Sequence, residues 1–253
     1  VRTKLNRTNA FGDKDSESEN MKMQLGRLIQ YLDHLPVQIL APENIEADDA
    51  IAYISKQLLT ESKIFIMSSD KDFIQLVDDR IAVWSPTKKK LYFKNDVFED
   101  YKLPAHNYLL YRTLTGDKSD NIPGIRGTGV ITLQKRLPIL FSDEVVTIDK
   151  LIDECQDSKV KVMQTISESK QAIELNYKLM QLHDVDISGS SKSKIMNTIY
   201  NPICRMNTTQ FKVMMIEDGI TGAFRNLEFW MRERFLRLDT YADTFNKSCE
   251  SDK

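Results

Sequence analysis

A strand–helix–strand pattern over residues 37–92 constrains the fold most strongly. KIFIMSSD at 63–70 predicts a buried strand, and RIAVWSP and KLYFKN further along predict two more. VQIL at 37–40 predicts a shorter strand, and a helix is predicted from about Ala47 to Leu59. Strands that alternate with helices favour a parallel sheet with crossover helices. The first part of the chain is therefore predicted to be an α/β domain.

After residue 95 the pattern changes to helices without strands. Amphipathic helices are predicted at about 105–114, 143–155, 159–182, 208–217 and 223–237. Weaker loop signals lie at 184–202, and the polar tail is predicted to be disordered. The expected parts are an N-terminally incomplete α/β core over 1–95, in which 1–19 is a mobile arm or the remnant of an arch, a helical region with a hairpin over 96–238 that is expected to bind a polyanion, and a polar tail over 239–253.

Composition limits the class of protein without identifying it. With 253 residues, 41% hydrophobic and 28% charged, the chain can bury a full core. It has neither an apolar run of membrane-spanning length nor a secretory signal, so we expect an intracellular protein without a membrane partner. A net charge of −2 gives no overall attraction to nucleic acid, and favours an enzyme without a polyanionic partner. Acids gathered in one pocket would, however, leave the remaining surface more basic.

Carboxylates occur at three places where a strand ends or a helix begins. IEADDA opens a predicted helix, SSDKDF ends a predicted strand, and GDKSD follows a predicted helix. Each group alone is more often a helix cap or a turn. Because sites form at the carboxyl ends of parallel strands, we expect the groups to converge, and converging carboxylates repel each other unless cations lie between them. Oxygen ligands of this kind select two Mg²⁺ or Mn²⁺ ions, which suit phosphodiester cleavage. The seven candidate ligands are Glu46, Asp48, Asp49, Asp70, Asp72, Asp117 and Asp120.

A glycine-rich turn, IPGIRGTG, follows the last acidic group. Glycines permit positive φ and expose backbone N–H groups, and a helix start behind them favours an anion. The turn is therefore a candidate phosphate site without sequence preference. A nucleotide P-loop is excluded, because the lysine and hydroxyl of GxxxxGK[ST] are absent. The candidate DNA-binding residues are Gly124, Arg126, Gly127, Thr128, Gly129, Lys135 and Arg136.

Together, IEADD, SSDKDF and GDKSDNIPGIRGTG resemble the 5′ nucleases, the flap endonucleases and 5′→3′ exonucleases of phage and bacteria, over residues 20–140. The resemblance implies a PIN-like parallel sheet flanked by helices, a helix–hairpin–helix module that binds duplex DNA, and a two-metal site formed by the seven acids. It also implies that the hairpin holds a potassium ion, and that Lys4 and Arg7 are remnants of a basic arch that contacts the scissile phosphate. The expected function is Mg²⁺-dependent cleavage of DNA flaps or 5′ ends in replication and repair.

Two departures from the family keep alternatives open. The family begins with two strands that carry further aspartates, for which there is no room before Val1, and Thr128 occupies a usually apolar place. A non-catalytic DNA-binding factor of the same fold is therefore the main alternative, and a PIN-like ribonuclease is a third. Expected partners are DNA with a 5′ flap or 5′ end and a polymerase, clamp or single-strand-binding protein. The chain is expected to be a monomer in a bacterial or phage-infected cytoplasm.

Overall fold

The computed structural model describes residues 14–251, and the sheet within them is small. β1 (Ile64–Met67) pairs in parallel with β2 (Ile81–Ser85), and β2 pairs antiparallel with β3 (Lys90–Tyr92). Because the strand order is β1–β2–β3, β1 forms one edge of this sheet. The predicted α/β class is confirmed, and the sheet is mixed rather than wholly parallel.

The two faces of the sheet are buried to different degrees. Val83 lies in register with Ile66 on one side and with Tyr92 on the other, and all three side chains are buried. On the opposite face of β1, Phe65 is 62% exposed and Met67 is 74% exposed. Successive residues of a strand point to opposite faces, so one strand can carry both environments. The edge strand β1 therefore presents apolar side chains to solvent.

A compact unit of residues 42–192, called here the central unit, contains the sheet and most of the helices. Its helices are α2 (Ala47–Tyr53), α3 (Lys94–Tyr101), α4 (Ala105–Thr115), α5 (Val130–Arg136), α6 (Ile148–Gln156), α7 (Lys161–Glu168) and α8 (Lys170–Met180). Fully buried leucines and isoleucines from α4 to α8 form its helical core, among them Leu114, Leu133, Leu151 and Ile166. This core supports the segment between α4 and α5, which carries the predicted glycine turn.

The terminal unit contains the described residues of 1–41 and 193–253. Its helices are α1 (Lys14–Leu32), most of α9 (Gly189–Tyr200), α10 (Thr208–Glu217), α11 (Leu227–Met231) and α12 (Arg237–Ser251). Phe211, Met215 and Met231 form its core with Leu35 and Met206. None of the described helices is both long and apolar enough to cross a membrane.

Four predicted elements differ from the structure. Residues 37–40 form no strand, because none of the described strands pairs with them, and the side-chain amide of Gln38 donates to the carbonyls of Ile199 and Asn201. The predicted loop at 184–202 contains α9, and the predicted disordered tail lies largely in α12. The predicted helix at 159–182 is divided into α7 and α8.

The predicted domain boundary at residue 95 stays a prediction. The compact central unit extends across residue 95, and both termini of the described chain belong to the other unit. The structure therefore groups residues 42–95 of the predicted α/β region with residues 96–192 of the predicted helical region.

Candidate active site

Two of the predicted acidic groups lie where a secondary-structure element begins or ends in the central unit. Glu46 is the residue that precedes α2, and Asp48 and Asp49 belong to the first turn of that helix. Asp70 follows β1, and its carboxylate accepts a hydrogen bond of 2.9 Å from the backbone N–H of Asp72. The short apolar strand and the helix start thus fix five carboxylates.

The third acidic group lies in the loop after α4 and meets the second group. Asp72, Asp117 and Asp120 each offer a carboxylate oxygen, and these oxygens lie within 4.8 Å of one another. Ligands on opposite sides of a Mg²⁺ ion are about 4 Å apart, because each bond is about 2.0–2.1 Å. The three side chains therefore fit one divalent cation.

A pocket with a volume of about 940 Å³ brings six of the seven predicted ligands together. They are Glu46, Asp48, Asp49, Asp70, Asp72 and Asp120. Asp117 does not line this pocket, but its carboxylate lies beside those of Asp72 and Asp120, which do. Asp184, Asp186 and Lys178 line the same pocket and were not among the predicted residues. Their segment carries no recognisable motif, so only the folded chain reveals them.

The pocket raises the pKa of two of its carboxyl groups. Burial is the main cause for Asp49, and the charges of Asp48 and Glu46 add to it. Burial is again the main cause for Asp72, and is only partly offset by the nearby Arg112 guanidinium. Carboxylates whose charge is disfavoured in this way gain from a cation placed between them. The donor set is made of hard oxygen atoms, which suit Mg²⁺ or Mn²⁺.

Arg112, in the last turn of α4, joins two of the acidic groups. Its Nη2 donates a 2.8 Å hydrogen bond to Asp72 Oδ1 and a short one to Asp117 Oδ2. Hydrogen bonds from Ser119 and Arg112, of which the Ser119 hydroxyl contributes most, lower the pKa of Asp117 to about 2. The sequence offered one signal for Arg112, a basic residue one helical turn before GDKSD.

The hairpin between α4 and α5 is held by its own backbone. Asp117 and Ile122 exchange two backbone hydrogen bonds of 2.9 and 2.8 Å. A Cβ atom added to Gly124 would lie 2.3 Å from the carbonyl oxygen of Thr115, so the two backbone segments touch there. The Thr128 hydroxyl is buried and lies within hydrogen-bonding distance of two backbone carbonyl oxygens. Glycine at position 124 therefore allows the backbone to pack against that of Thr115, and the buried Thr128 hydroxyl stabilises the turn through its hydrogen bonding.

The remaining predicted DNA-binding residues lie around this turn. Gly127 has a φ of 90°, and Gly129 is the residue that precedes α5. The side chains of Arg126, Lys135 and Arg136 are exposed. These three cations stay available for a polyanion.

Two further lysines lie near the turn. A Cβ atom on Gly127 would be 3.4 Å from Val162 Cγ2, so the start of α7 adjoins the turn. Lys159 and Lys161 flank this contact with exposed side chains. The two lysines were not predicted, because KVKV carries no motif. Lys4 and Arg7 lie outside the described residues, and their role stays a prediction.

Helix α8 is tied both to the hairpin and to the acidic segments by buried amides. Asn176 donates to the backbone carbonyls of Thr113 and Pro123, at 3.2 and 2.8 Å. Gln75 donates to the carbonyl of Met180 and accepts from the backbone N–H of Leu182, at 3.0 and 2.9 Å. These contacts fix the wall of the pocket that α8 contributes.

Together, the sheet, the acidic pocket at its strand end and the two helices around a glycine hairpin define a PIN-like α/β protein with a helix–hairpin–helix module. Residues 4–102 match the family described as the 5′-3′ exonuclease N-terminal resolvase-like domain. This match and the similarity to curated 5′-3′ exonucleases support the resemblance to the 5′ nucleases that the three acidic motifs predict.

Relatives of this chain include both separate exonucleases and parts of polymerases. It is 31% identical to a 5′-3′ exonuclease of Aquifex aeolicus over 176 residues, which are 68% of this chain and 57% of that protein. It is 30% identical to a thermostable DNA polymerase I of Thermus thermophilus over 166 residues, 65% of this chain and 19% of the polymerase. The chain therefore spans less than two thirds of either relative.

Two solved structures resemble the fold. A mutant of the T5 5′-exonuclease aligns with a TM-score of 0.51 and 18% identity, over 79% of this chain and 91% of that one. A bacteriophage T5 flap endonuclease in a complex with DNA and metal ions aligns with a TM-score of 0.54 and 17% identity, over 81% of this chain and 71% of that one. At these identities the resemblance supports the fold alone.

Proposed function

We propose that the chain is a Mg²⁺- or Mn²⁺-dependent, structure-specific 5′ nuclease that cleaves phosphodiester bonds at DNA flaps or 5′ ends during replication and repair. The observation that carries the proposal is the convergence of acids from three chain segments next to a helix–hairpin–helix. The match of residues 4–102 to the 5′-3′ exonuclease N-terminal domain family and the similarity to a 5′-3′ exonuclease support it.

The acids are proposed to hold two divalent ions. Asp72, Asp117 and Asp120 would hold one, because their carboxylate oxygens fit around a single cation. The other four predicted acids line the same pocket and would supply ligands to the second: Glu46, Asp48, Asp49 and Asp70. Bound ions would supply an activated water and stabilise the leaving oxygen. Arg112 would hold Asp72 and Asp117 in place while the substrate binds.

The hairpin is proposed to bind the DNA backbone without reading sequence. Gly127 and Gly129 would let backbone N–H groups approach a phosphate, and Arg126, Lys135 and Arg136 would add cationic contacts. Gly124 and Thr128 would act by ordering the turn, since Gly124 packs against backbone and the Thr128 side chain is buried. A potassium ion at the hairpin stays part of this proposal.

The proposed partners follow from the relatives. DNA with a 5′ flap or 5′ end is the proposed substrate, and a bacteriophage T5 flap endonuclease of similar fold was solved with DNA. A polymerase is proposed as a partner because the relatives include DNA polymerase I. A clamp or single-strand-binding protein, and a monomeric state, stay predictions.

The test is cleavage of a labelled 5′-flap DNA with and without Mg²⁺ or Mn²⁺. Wild type should cut only with the metal, and Asp70→Asn and Asp117→Asn should each lower the rate about 100-fold or more while flap binding stays measurable. Asp153→Asn, an exposed site on α6, is the matched control and should cut like wild type. Full activity in both pocket variants would contradict the assignment of the site.

The same experiment separates the alternatives. Flap binding without any metal-dependent cutting by wild type would support the non-catalytic DNA-binding factor instead. Cutting of a matched RNA flap in preference to DNA would support the ribonuclease.

A further inference from the structure

The acidic pocket contains one cation that the proposed metal site does not use. Among the described residues that line it, Lys178 is the only lysine or arginine, and eight carboxylates line it as well. The side chain of Lys178 is exposed, and it forms no ion pair with a described carboxylate. Because the Lys178 ammonium group forms no ion pair with these acids, it is available to bind an anionic ligand that enters the pocket.

The backbone around Lys178 is held in place on both sides. Two residues before it, Asn176 binds the carbonyls of Thr113 and Pro123, which flank the loop that carries Asp117 and Asp120. Two residues after it, the carbonyl of Met180 accepts a hydrogen bond from Gln75, three residues beyond Asp72. The backbone near Lys178 is therefore bound directly to the segments that carry Asp72, Asp117 and Asp120.

Lys178 also has a simpler interpretation. It lies in the last turn of α8, where any cation stabilises the helix through its dipole. That effect requires a charge at the helix end but no contact with a ligand. The two interpretations differ in whether DNA binding depends on the charge.

We propose that Lys178 binds a phosphate oxygen of the substrate strand at the rim of the acidic pocket, and so orients the strand toward the acids. This inference rests on the proposed function. A polyanion must enter a pocket lined by carboxylates, and a cation on the wall lowers the electrostatic cost of that approach. The flexible four-carbon stem of lysine allows the ammonium to follow the phosphate while the helix stays fixed.

The experiment compares Lys178→Met, Lys178→Arg and Lys170→Met in the full chain. Lys170 lies on the same helix with a partly exposed side chain that pairs with Asp149, so it is a control for loss of a charge from α8. Binding of fluorescent 5′-flap DNA is measured with Ca²⁺ in place of Mg²⁺ at several salt concentrations, and KM and kcat are measured with Mg²⁺. Thermal unfolding confirms that each variant folds.

We expect Lys178→Met to weaken DNA binding about tenfold and to lower the slope of log affinity against log salt by about 1. KM should rise more than kcat falls. Lys178→Arg should restore affinity to within about threefold of wild type, because it keeps the charge. Lys170→Met should leave affinity and slope unchanged.

Three results would overturn the inference. The first is a Lys178→Met variant with the same affinity and salt slope as Lys170→Met. The second is a loss of affinity that Lys178→Arg does not recover, which would show that the positive charge at this position is not what binds the DNA. The third is a change in apparent Mg²⁺ affinity while the salt dependence of DNA binding stays unchanged. That result would show that Lys178 reduces the repulsion between the carboxylates and does not contact the DNA. Failure of the proposed function is distinct, because wild type itself would then not cut the flap with Mg²⁺ or Mn²⁺, whatever the Lys178 variants do.

Discussion

The hairpin and the acidic pocket are neighbours in the central unit, but they are stabilised in different ways. In the hairpin, backbone groups bind one another, a glycine packs against backbone, and the one buried hydroxyl is satisfied. In the pocket, carboxylates from three segments face each other, and the pKa of both Asp49 and Asp72 is raised.

This difference indicates which region contributes to stability and which one opposes it. A turn held by several backbone hydrogen bonds favours the folded state by itself. Crowded carboxylates disfavour it unless a cation compensates them. We therefore expect substitutions in the hairpin to lower stability with or without metal, and substitutions in the pocket to have effects that depend on divalent ions.

The largest effect on stability is expected for Gly124→Ala. Its Cβ would lie 2.3 Å from the carbonyl oxygen and 2.5 Å from the carbonyl carbon of Thr115, so backbone must move. We expect the free energy of unfolding to fall by about 3 kcal/mol, as in severe overpacking. Urea unfolding with and without Mg²⁺ measures it. Gly129→Ala is the matched control, since nothing lies within 4 Å of its added Cβ, and should cost less than about 1 kcal/mol. Equal costs at the two sites would contradict the close packing of the hairpin.

A smaller effect is expected for Arg112→Met, which removes the cation between the two regions. Asp72 and Asp117 would lose their shared partner, whose side chain is only 14% exposed. Because the two carboxylates are partly solvated, we expect the free energy of unfolding to fall by about 2 kcal/mol without divalent ions. This is less than the loss expected when a fully buried ion pair is broken. Mg²⁺ should raise the melting temperature of this variant more than that of wild type. The exposed Arg136→Met is the control, and a Mg²⁺ shift no larger than that of wild type would argue against the role given to Arg112.

The smallest effect is expected for Asp49→Asn, and it depends on pH. The pKa of Asp49 is raised above its ordinary value of 3.8, mainly by burial. A raised pKa contributes stability that is fully present below pH 3.8 and is lost as pH rises through the folded-state value. Without divalent ions at pH 7, Asp49→Asn should therefore be more stable than wild type, by less than about 1 kcal/mol. Thermal unfolding at pH 3.5 and pH 7 measures this, with Asp153→Asn as control. A variant less stable than wild type at pH 7 would show that the Asp49 charge stabilises the helix start.

Much of the acidic site could be predicted because its residues occur in short, ordered motifs. The strand that ends near Asp70 and the helix that begins after Glu46 both form as the sequence predicts. The structure gathers six of these acids in one pocket, although only Asp70 and Asp72 follow a strand, because the start of α2 and the loop after α4 bring the others to it. The helix over 208–217 is also confirmed, as α10.

The features that were not predicted depend on contacts between distant residues. The polar tail folds into α12, where Asp239 binds the backbone N–H of Met206 and Ala242 is buried. No local pattern indicates these partners. Arg112 and Lys178 are single cations in helices, and only the folded chain shows which acids lie beside them.

The amide clamps of Gln75 and Asn176 have a consequence for the conditions under which the pocket keeps its shape. Carboxamides do not ionise, so neither hydrogen ion concentration nor ionic strength removes their hydrogen bonds directly. Gln75 joins α8 to the segment after Asp72, and Asn176 joins α8 to the hairpin loop, through neutral groups alone. The attachment of α8 at these two side chains therefore does not require any of the pocket acids to carry a charge.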